Sequence, residues 1–247
     1  NPAEWQSLQA EWQSLFAVTH RPVPFLEFWY LQTWWQTLGG GEWPAGASQL
    51  QIIIARENGQ LVGAAPLFYS EKPGSPGALR FIGQIEVTDY LDFLCPPESL
   101  ELFLTNLLEF IRTEPELLSR QLDLANFQDD SPSLPLLRAL CEQKGWQWSS
   151  EALQPSPYIP LQNSWDAYLA SISKKQRHEI RRKIRNAEAR YQTGWHLVTP
   201  EDDLQEEAND FITMMAQDPT KETFLTPTMK TFMSDVIKAA GSAGQLH

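Results

Sequence analysis

The chemistry that this sequence could support is concentrated in two short segments, one acidic and aromatic, the other strongly basic. The first segment, TDYLDF at 88–93, alternates acids with apolar and aromatic residues. In a strand, this spacing places Asp89 or Asp92 at a strand end that faces a cleft, where a carboxylate can act as general base for an amine or hydroxyl acceptor. The alternative is that these Asp side chains cap a neighbouring turn or face solvent.

The second segment, SKKQRHEIRRKIRNAEARY at 173–191, has the pattern of an amphipathic helix. Its apolar stripe predicts a face that seats the helix on a core: Ile180, Ile184, Ala187 and Tyr191. Another face carries a basic row, with Lys175 and Arg182 beside it: Lys174, Arg177, Arg181 and Arg185. Guanidinium and ammonium groups in such a row bind phosphates. A solvated charged face is the other interpretation, and the sequence alone leaves the two open.

The net charge of the chain hides this basic helix. The 247 residues carry −12, from 19 basic and 31 acidic residues, which by itself argues against nucleic acid or an anionic surface as a partner. Residues 174–190, however, hold eight Lys/Arg against Glu179 and Glu188, a local charge of +6, so the remainder carries −18. A concentrated basic helix on an acidic body is the most informative charge feature of the chain.

Several classes of site lack support in the sequence. The four histidines are scattered and the two cysteines, Cys95 and Cys141, are isolated, so neither a metal site nor a disulfide framework is predicted. No nucleophile-elbow pattern supports Ser-His-Asp or Cys-His catalysis. No window resembles a membrane span, and the N-terminus lacks the layout of a signal peptide. We therefore expect a soluble, cytoplasmic protein without a metal.

The elements that must position these residues follow a mixed order. Apolar periodicity predicts helices near 4–15, 25–38, 99–112, 131–144, 164–171, 173–191, 200–217 and 226–240. Strands are predicted at 50–56, 60–69, 79–83, 87–94 and 121–127, with two further extended pieces near 146–148 and 158–161. Asn58 and Gly59 indicate a hairpin turn, Gly39–Gly41 and Gly145 helix ends, and Ser164 and Ser173 helix starts. The order predicts an α/β or α+β fold with at least one βαβ crossover.

Taken together, these blocks resemble the CelD-like acetyltransferases of the GNAT superfamily, which are similar in plan to the FemAB aminoacyltransferases. The likeness rests on the opening EW..L helix, FLEFWYLQTWWQTLG, GQLVGAAPLFY, LRFIGQIEVTDYLDFL, SPYIPL and W.AYLASISKKQRHEIRRKIRNAE. It implies two GNAT-like halves in tandem, each a mixed central sheet flanked by helices. The predicted domains are 1–158, a complete GNAT-like half, and 159–247, the basic helix and helical start of a second, truncated half.

The resemblance implies transfer of an acyl group from acetyl-CoA or another acyl-CoA to an amine or hydroxyl of a small-molecule or glycan acceptor, with polysaccharide or cell-envelope biosynthesis as one context. Asp89, Tyr90 and Asp92 fall on the family's DYLDF-like block and are the candidate catalytic residues. Those that match its basic block are the candidate cofactor-binding residues: Lys174, Arg177, Arg181 and Arg182.

One departure from the family concerns the loop that cradles the CoA pyrophosphate. No Q/R-x-x-G-x-G/A segment opens a predicted helix, because QTLGGG at 36–41 closes one and QLVGAA at 60–65 lies in a predicted strand. The loop of the second half would therefore lie beyond His247, and the segment could be inactive alone. Two alternatives stay open. A FemAB-type transferase would use aminoacyl-tRNA, with the basic helix contacting RNA. A non-catalytic module would bind nucleic acid or an acidic partner through residues 173–191; apart from the tRNA case, nucleic acid is disfavoured by the acidic remainder.

Overall fold

The computed structural model describes residues 2–39, 48–71, 76–84, 87–194 and 196–246. These residues group into two compact units. The first unit combines 1–149 with 198–247, and the second spans 150–197. The protein is mixed α+β, with small antiparallel sheets.

The helices of the first unit are α1 (Pro2–Ser7), α2 (Gln9–Phe16), α3 (Phe28–Leu38), α4 (Leu100–Thr113), α5 (Ser133–Lys144), α8 (Leu204–Met215) and α9 (Pro227–Ser242). Its strands are β1 (Ser48–Leu50), β2 (Ile53–Glu57), β3 (Gln60–Ala65), β4 (Leu67–Ser70) and β5 (Ala78–Phe81). The second unit contains α6 (Trp165–Ser171) and α7 (Lys174–Arg190). Short 3₁₀ turns cover Pro24–Leu26, Pro97–Ser99 and Pro219–Lys221.

Local capping chemistry sets several helix ends where the sequence predicts them. The Ser164 hydroxyl accepts from the Ala167 N–H at the start of α6. The Ser173 hydroxyl accepts from the Gln176 N–H at the start of α7. Gly145 ends α5 with φ 73°, a left-handed conformation that glycine adopts without steric cost. These three predictions are confirmed. Gly39 ends α3, whereas Gly40 and Gly41 lie outside the described residues.

Two antiparallel sheets form the strand part of the first unit. Strands β2 and β3 form a hairpin whose turn residues, Asn58 and Gly59, both have positive φ, as the Asn-Gly signal predicts. A second sheet has the order β1-β4-β5. After the chain has passed through α4, Leu122 forms a parallel bridge with Leu79 of β5. The predicted βαβ crossover is therefore present only as a single bridge between residues, not as a pair of strands.

A single apolar core lies between these sheets and the helices of the first unit. Helix α4 buries one stripe at helical spacing, comprising Leu100, Phe103, Leu104, Leu107, Leu108 and Ile111. Gly63 of β3 lies so close to the Phe103 ring that an added Cβ would come within 2.4 Å of it. Aromatic residues dominate the N-terminal side, where Trp5, Trp12 and Phe28 meet edge-to-face or tilted.

The prediction of strands at 87–94 and 121–127 is wrong. Within these segments the described backbone pairs only at single bridges, through Leu94 with Ala64 and Leu122 with Leu79. At 87–94 Tyr90 has φ 59°, which interrupts the extended backbone that a strand requires. Among the described residues the predicted extended pieces at 146–148 and 158–161 likewise form no strand.

The grouping of the chain differs from the predicted division at 158/159. The division into two GNAT-like halves stays a prediction, but residues 198–247 group with 1–149 in the first unit. The reason is the packing of α9 on α3, in which Phe232 is buried and meets Tyr30 edge-to-face at 6.2 Å. The second unit is therefore limited to the region around α6 and α7.

Candidate functional site

The acidic segment forms an irregular turn whose tip is strained. Tyr90 has φ 59° and Asn126, on the facing segment, has φ 67°. The two segments are joined by two hydrogen bonds, from Leu91 N–H to the Asn126 carbonyl (2.8 Å) and from Asn126 Nδ2 to the Thr88 carbonyl (2.6 Å). A left-handed non-glycine residue costs of order 1–3 kcal/mol and persists only where its surroundings determine it. The two hydrogen bonds hold the backbone in this conformation.

Tyr30 of α3 holds the beginning of the same turn. Its hydroxyl donates to the Val87 carbonyl at 2.8 Å and lies 2.6 Å from the Thr88 hydroxyl. Burial, reinforced by the negative charge of Asp89, raises the pKa of Tyr30 against the opposing effect of its bond to Thr88. The phenol therefore stays protonated and serves as a fixed hydrogen-bond donor.

The turn presents two of the three predicted catalytic residues and hides the third. Asp89 is exposed, and Tyr90 beside it is partly buried, with its ring 6.3 Å from that of Phe25. Asp92 is fully buried, with 0% of its surface accessible. The two carboxylates therefore stand in opposite environments although they are three residues apart.

Asp92 is the centre of a buried polar network. Its Oδ1 accepts from the Phe93 N–H at 2.8 Å and from the Ser133 hydroxyl at 2.5 Å. Its Oδ2 accepts from the Ser131 hydroxyl and lies 3.2 Å from His20 Nε2. Ser133 is the first residue of α5, so the carboxylate also lies at the positive end of a helix.

His20 and Arg21 bring positive charge to this carboxylate. His20 Nδ1 lies 3.0 Å from the Cys95 carbonyl, which can only accept, so Nδ1 carries a proton. Burial lowers the pKa of His20, but the hydrogen bond and charge of Asp92 outweigh it, and the net effect raises this pKa. Arg21 Nε lies 3.9 Å from Asp92 Oδ2, and its guanidinium also binds Asp130 and Gln128.

Ser133, His20 and Asp92 share the residue types of a catalytic triad but not its geometry. In a triad the carboxylate binds Nδ1 of the histidine and the serine hydroxyl binds Nε2. Here Nδ1 faces the Cys95 carbonyl, and the Ser133 hydroxyl donates to Asp92 while lying 3.5 Å from Nε2. All three side chains are enclosed. The network therefore anchors the turn, as the capping alternative for Asp92 anticipates.

Sequence reasoning misses this network, apart from Asp92 itself. His20, Ser131 and Ser133 lie far from Asp92 along the chain, and no local spacing joins them. The available signal is SPS at 131–133 at a predicted helix start, because serines there are suited to bind a carboxylate.

The basic row lies on α7 in the second unit, with Lys174, Arg181 and Arg185 exposed and Arg177 partly buried. Arg182 is already engaged, since its guanidinium donates to both carboxylate oxygens of Glu179 at 2.9 and 2.6 Å. Within the described chain, no ion pair is found for the members of the row itself: Lys174, Arg177, Arg181 and Arg185. Of the four candidate cofactor-binding residues, three thus present uncompensated charge and one is paired.

The apolar stripe of α7 does not seat the helix on a core within the described residues. Ile180 and Ala187 are partly buried, whereas Ile184 is 41% and Tyr191 69% exposed. Beside the stripe, an open groove of about 590 Å³ runs between α6 and α7 and is lined by Tyr168, Ile172, Ser173, Lys175, Gln176, Glu179 and Ile180. The expectation that this face packs inward is corrected.

Searches for related proteins find no match among family models, curated proteins or solved structures. Within the described ranges, no helix has the length and apolar character needed to cross a bilayer. No group of three or more potential metal-ligating side chains occurs there either.

Proposed function

We propose that the protein is an acyltransferase with a tandem GNAT-like plan, which transfers an acyl group from acetyl-CoA or another acyl-CoA to an amine or hydroxyl of a small-molecule or glycan acceptor in the cytoplasm. The observation that carries the proposal is the charge of the basic row of α7, which is unpaired among the described residues. Lys174, Arg177 and Arg181 present charge that no described acid neutralises.

Donor binding follows from the chemistry of this row. The nucleotide end of CoA carries several phosphate charges, and Arg binds phosphate oxygens through two parallel N–H donors. At 3.6 residues per turn, the row covers one side of α7 over about three turns. Such an array suits a ligand with phosphates at more than one position.

Acceptor activation is assigned to Asp89, because it is the exposed carboxylate of the turn. In the proposed step Asp89 takes a proton from the acceptor amine or hydroxyl, whose lone pair attacks the thioester carbonyl. The new C–N or C–O bond replaces the C–S bond, and the proton passes to the departing CoA thiolate. Tyr90, next to Asp89 and partly buried, is assigned to contact with the acceptor. Asp92 acts as a positioning residue, because its network fixes the turn that presents Asp89.

The donor part of the proposal is tested by titrating the chain with acetyl-CoA in a calorimeter. Reversing two members of the row, Arg177→Glu with Arg181→Glu, should weaken binding by at least about tenfold, because charge-assisted hydrogen bonds contribute about 1.5–3 kcal/mol each. The matched control, Arg112→Glu with Arg138→Glu, changes the net charge equally on exposed arginines of the first unit and should bind as the wild type does.

Absence of acetyl-CoA binding by the wild-type chain would overturn the proposal. Binding of tRNA without binding of acetyl-CoA would replace it with the aminoacyl-tRNA alternative. The acceptor part is tested by CoA release in the presence of an amino sugar or an oligosaccharide. Asp89→Asn should abolish most of the release, while the exposed neighbour Asp129→Asn should leave it unchanged.

A further inference from the structure

The second unit exposes an unusual amount of apolar surface for its size. Large apolar side chains that are exposed in residues 150–197 are Leu153, Tyr158, Ile159, Leu161, Trp165, Ile184, Tyr191 and Leu197. Among the described residues of this unit, Leu169 is the large apolar side chain that is buried. Scattered exposed apolar residues are normal on protein surfaces, but a concentration of this kind marks a surface that binds something.

On α7, positive charges border the apolar stripe on both sides. At 100° per residue, Ile180, Ile184 and Ala187 fall within about 60° of one another around the helix, and Tyr191 follows directly as the C-cap residue. Arg177 lies about 60° to one side of Ile180, and Lys183 and Arg190 lie about 60–80° to the other. Lys183 is exposed, and its Nζ lies 4.0 Å from Glu179 Oε1 at the outer limit of an ion pair. Apolar side chains bordered by long basic ones are typical of helices that lie in the interface of a membrane.

We propose that this face of the second unit, the apolar stripe of α7 with Lys183 and Arg190, docks on the surface of an anionic lipid bilayer. The stripe would enter the boundary between headgroups and acyl chains, and the bordering cations would contact lipid phosphates. The exposed aromatic residues Tyr158, Trp165 and Tyr191 are of the types that favour this interfacial depth.

Charge and apolarity together favour an anionic bilayer over other partners for this face. A second copy of the same face would bring two local charges of +6 together, which repel each other. Nucleic acid would satisfy the cations but would leave Ile184 and the stripe without a partner. An anionic bilayer satisfies both. The acidic remainder of the chain opposes nucleic acid and an anionic bilayer alike, and its charge is screened beyond about 8 Å at physiological ionic strength.

The proposed lipid contact is separable from the proposed donor site. Lys183 and Arg190 border the opposite edge of the stripe from Arg181 and Arg185, which belong to the basic row. Neutralising the first pair thus tests lipid docking while leaving the proposed phosphate contacts in place. The proposal does not depend on the protein being an acyltransferase.

The test is co-sedimentation of the full chain with vesicles of phosphatidylcholine, alone or with about 30% phosphatidylglycerol. Wild-type protein should bind the anionic vesicles, and binding should fall with added salt. Lys183→Gln with Arg190→Gln should weaken binding about tenfold or more. Ile184→Ser with Tyr191→Ser should also weaken it, whereas Arg112→Gln with Arg138→Gln should not.

Circular dichroism of each variant distinguishes lost docking from lost folding, because both pairs of changes on α7 lie on an exposed helix and should leave the spectrum unchanged. Failure of the wild type to sediment with anionic vesicles would overturn the proposal. So would equal binding to neutral vesicles, or full binding by the Ile184→Ser/Tyr191→Ser variant. A tRNA gel shift without vesicle binding would assign the face to nucleic acid instead.

Discussion

Charged side chains have partners in the interior of the first unit, whereas several cations on the surface of α7 have none among the described residues. Around Asp92, each carboxylate oxygen has two partners within 3.2 Å, and His20 and Arg21 supply opposing charge. On α7, Arg182 is matched by Glu179, whereas Arg177 and Arg181 have no described ion-pair partner. Both regions contain residues predicted to be functional.

The difference separates a structural role from a binding role. A buried charge requires partners in the folded chain, because leaving it unpaired is costly. An exposed cation is solvated by water, so it can lack a protein partner at little cost and remain available to a ligand. By this criterion Asp92 maintains the fold, whereas Asp89 and the basic row are free to act on other molecules.

The largest expected effect is the loss of the Asp92 carboxylate. Asp92→Ala leaves His20 and Arg21 without their buried counter-charge, which should lower the free energy of unfolding by about 3–5 kcal/mol. Urea denaturation measures this. Asp89→Ala, three residues away but exposed, should change the same quantity by less than about 0.5 kcal/mol. Equal losses of unfolding free energy for the two substitutions would contradict the distinction between the buried Asp92 and the exposed Asp89.

A smaller effect is expected from one hydroxyl of the network. Ser133→Ala removes the donor to Asp92 Oδ1 and leaves part of a buried carboxylate unsatisfied, at an expected cost of about 1–3 kcal/mol in unfolding free energy. The exposed Ser171→Ala on α6 is the matched control and should be nearly silent. A silent Ser133→Ala would show that water or another group replaces the hydroxyl.

The protonation of His20 should make stability depend on pH. Because the pKa of His20 is raised in the folded state above 6.5, the folded chain holds the proton more tightly than the unfolded chain. This stabilisation is complete below about pH 6.5 and is lost as the pH rises through the raised pKa of the folded chain. Stability should therefore be greater in mildly acidic than in mildly alkaline solution.

Unfolding free energies measured between about pH 6 and 9 would show this decline. The decline should disappear in His20→Gln, which cannot titrate. An identical decline in His20→Gln would assign the dependence to another group.

The smallest effect on stability is expected on α7. Arg181→Ala removes no described ion pair and should change the unfolding free energy by less than about 0.5 kcal/mol. Arg182→Ala breaks the exposed pair with Glu179 and should lower the unfolding free energy only slightly, because solvent screens such pairs. A loss above about 1 kcal/mol for Arg181→Ala would mean that its charge is used within the fold.

Features governed by nearby residues could be predicted from the sequence. The caps at Ser164 and Ser173, the turn at Asn58–Gly59 and the basic helix itself all depend on groups within a few positions. The alternation in TDYLDF favours a strand because nothing in that segment reveals that Asn126 and Tyr30 hold the backbone in a turn.

Features that depend on distant partners could not be predicted. His20 reaches Asp92 only through the fold, and neither residue carries a local pattern that indicates the contact. The apolar stripe of α7 shows what a local pattern leaves open. Its periodicity correctly predicts a helix but does not tell what covers Ile184 and Tyr191. Amphipathicity identifies the face but leaves open whether it meets a core or a partner.

The measurement that tests the central claim most directly is the affinity of the wild-type chain for acetyl-CoA as a function of salt concentration. If the uncompensated cations of α7 hold the phosphates, affinity should fall steadily as salt screens them, and the dependence should be much shallower in the Arg177→Glu/Arg181→Glu variant. Binding with the same affinity and the same salt dependence in both proteins would contradict the account.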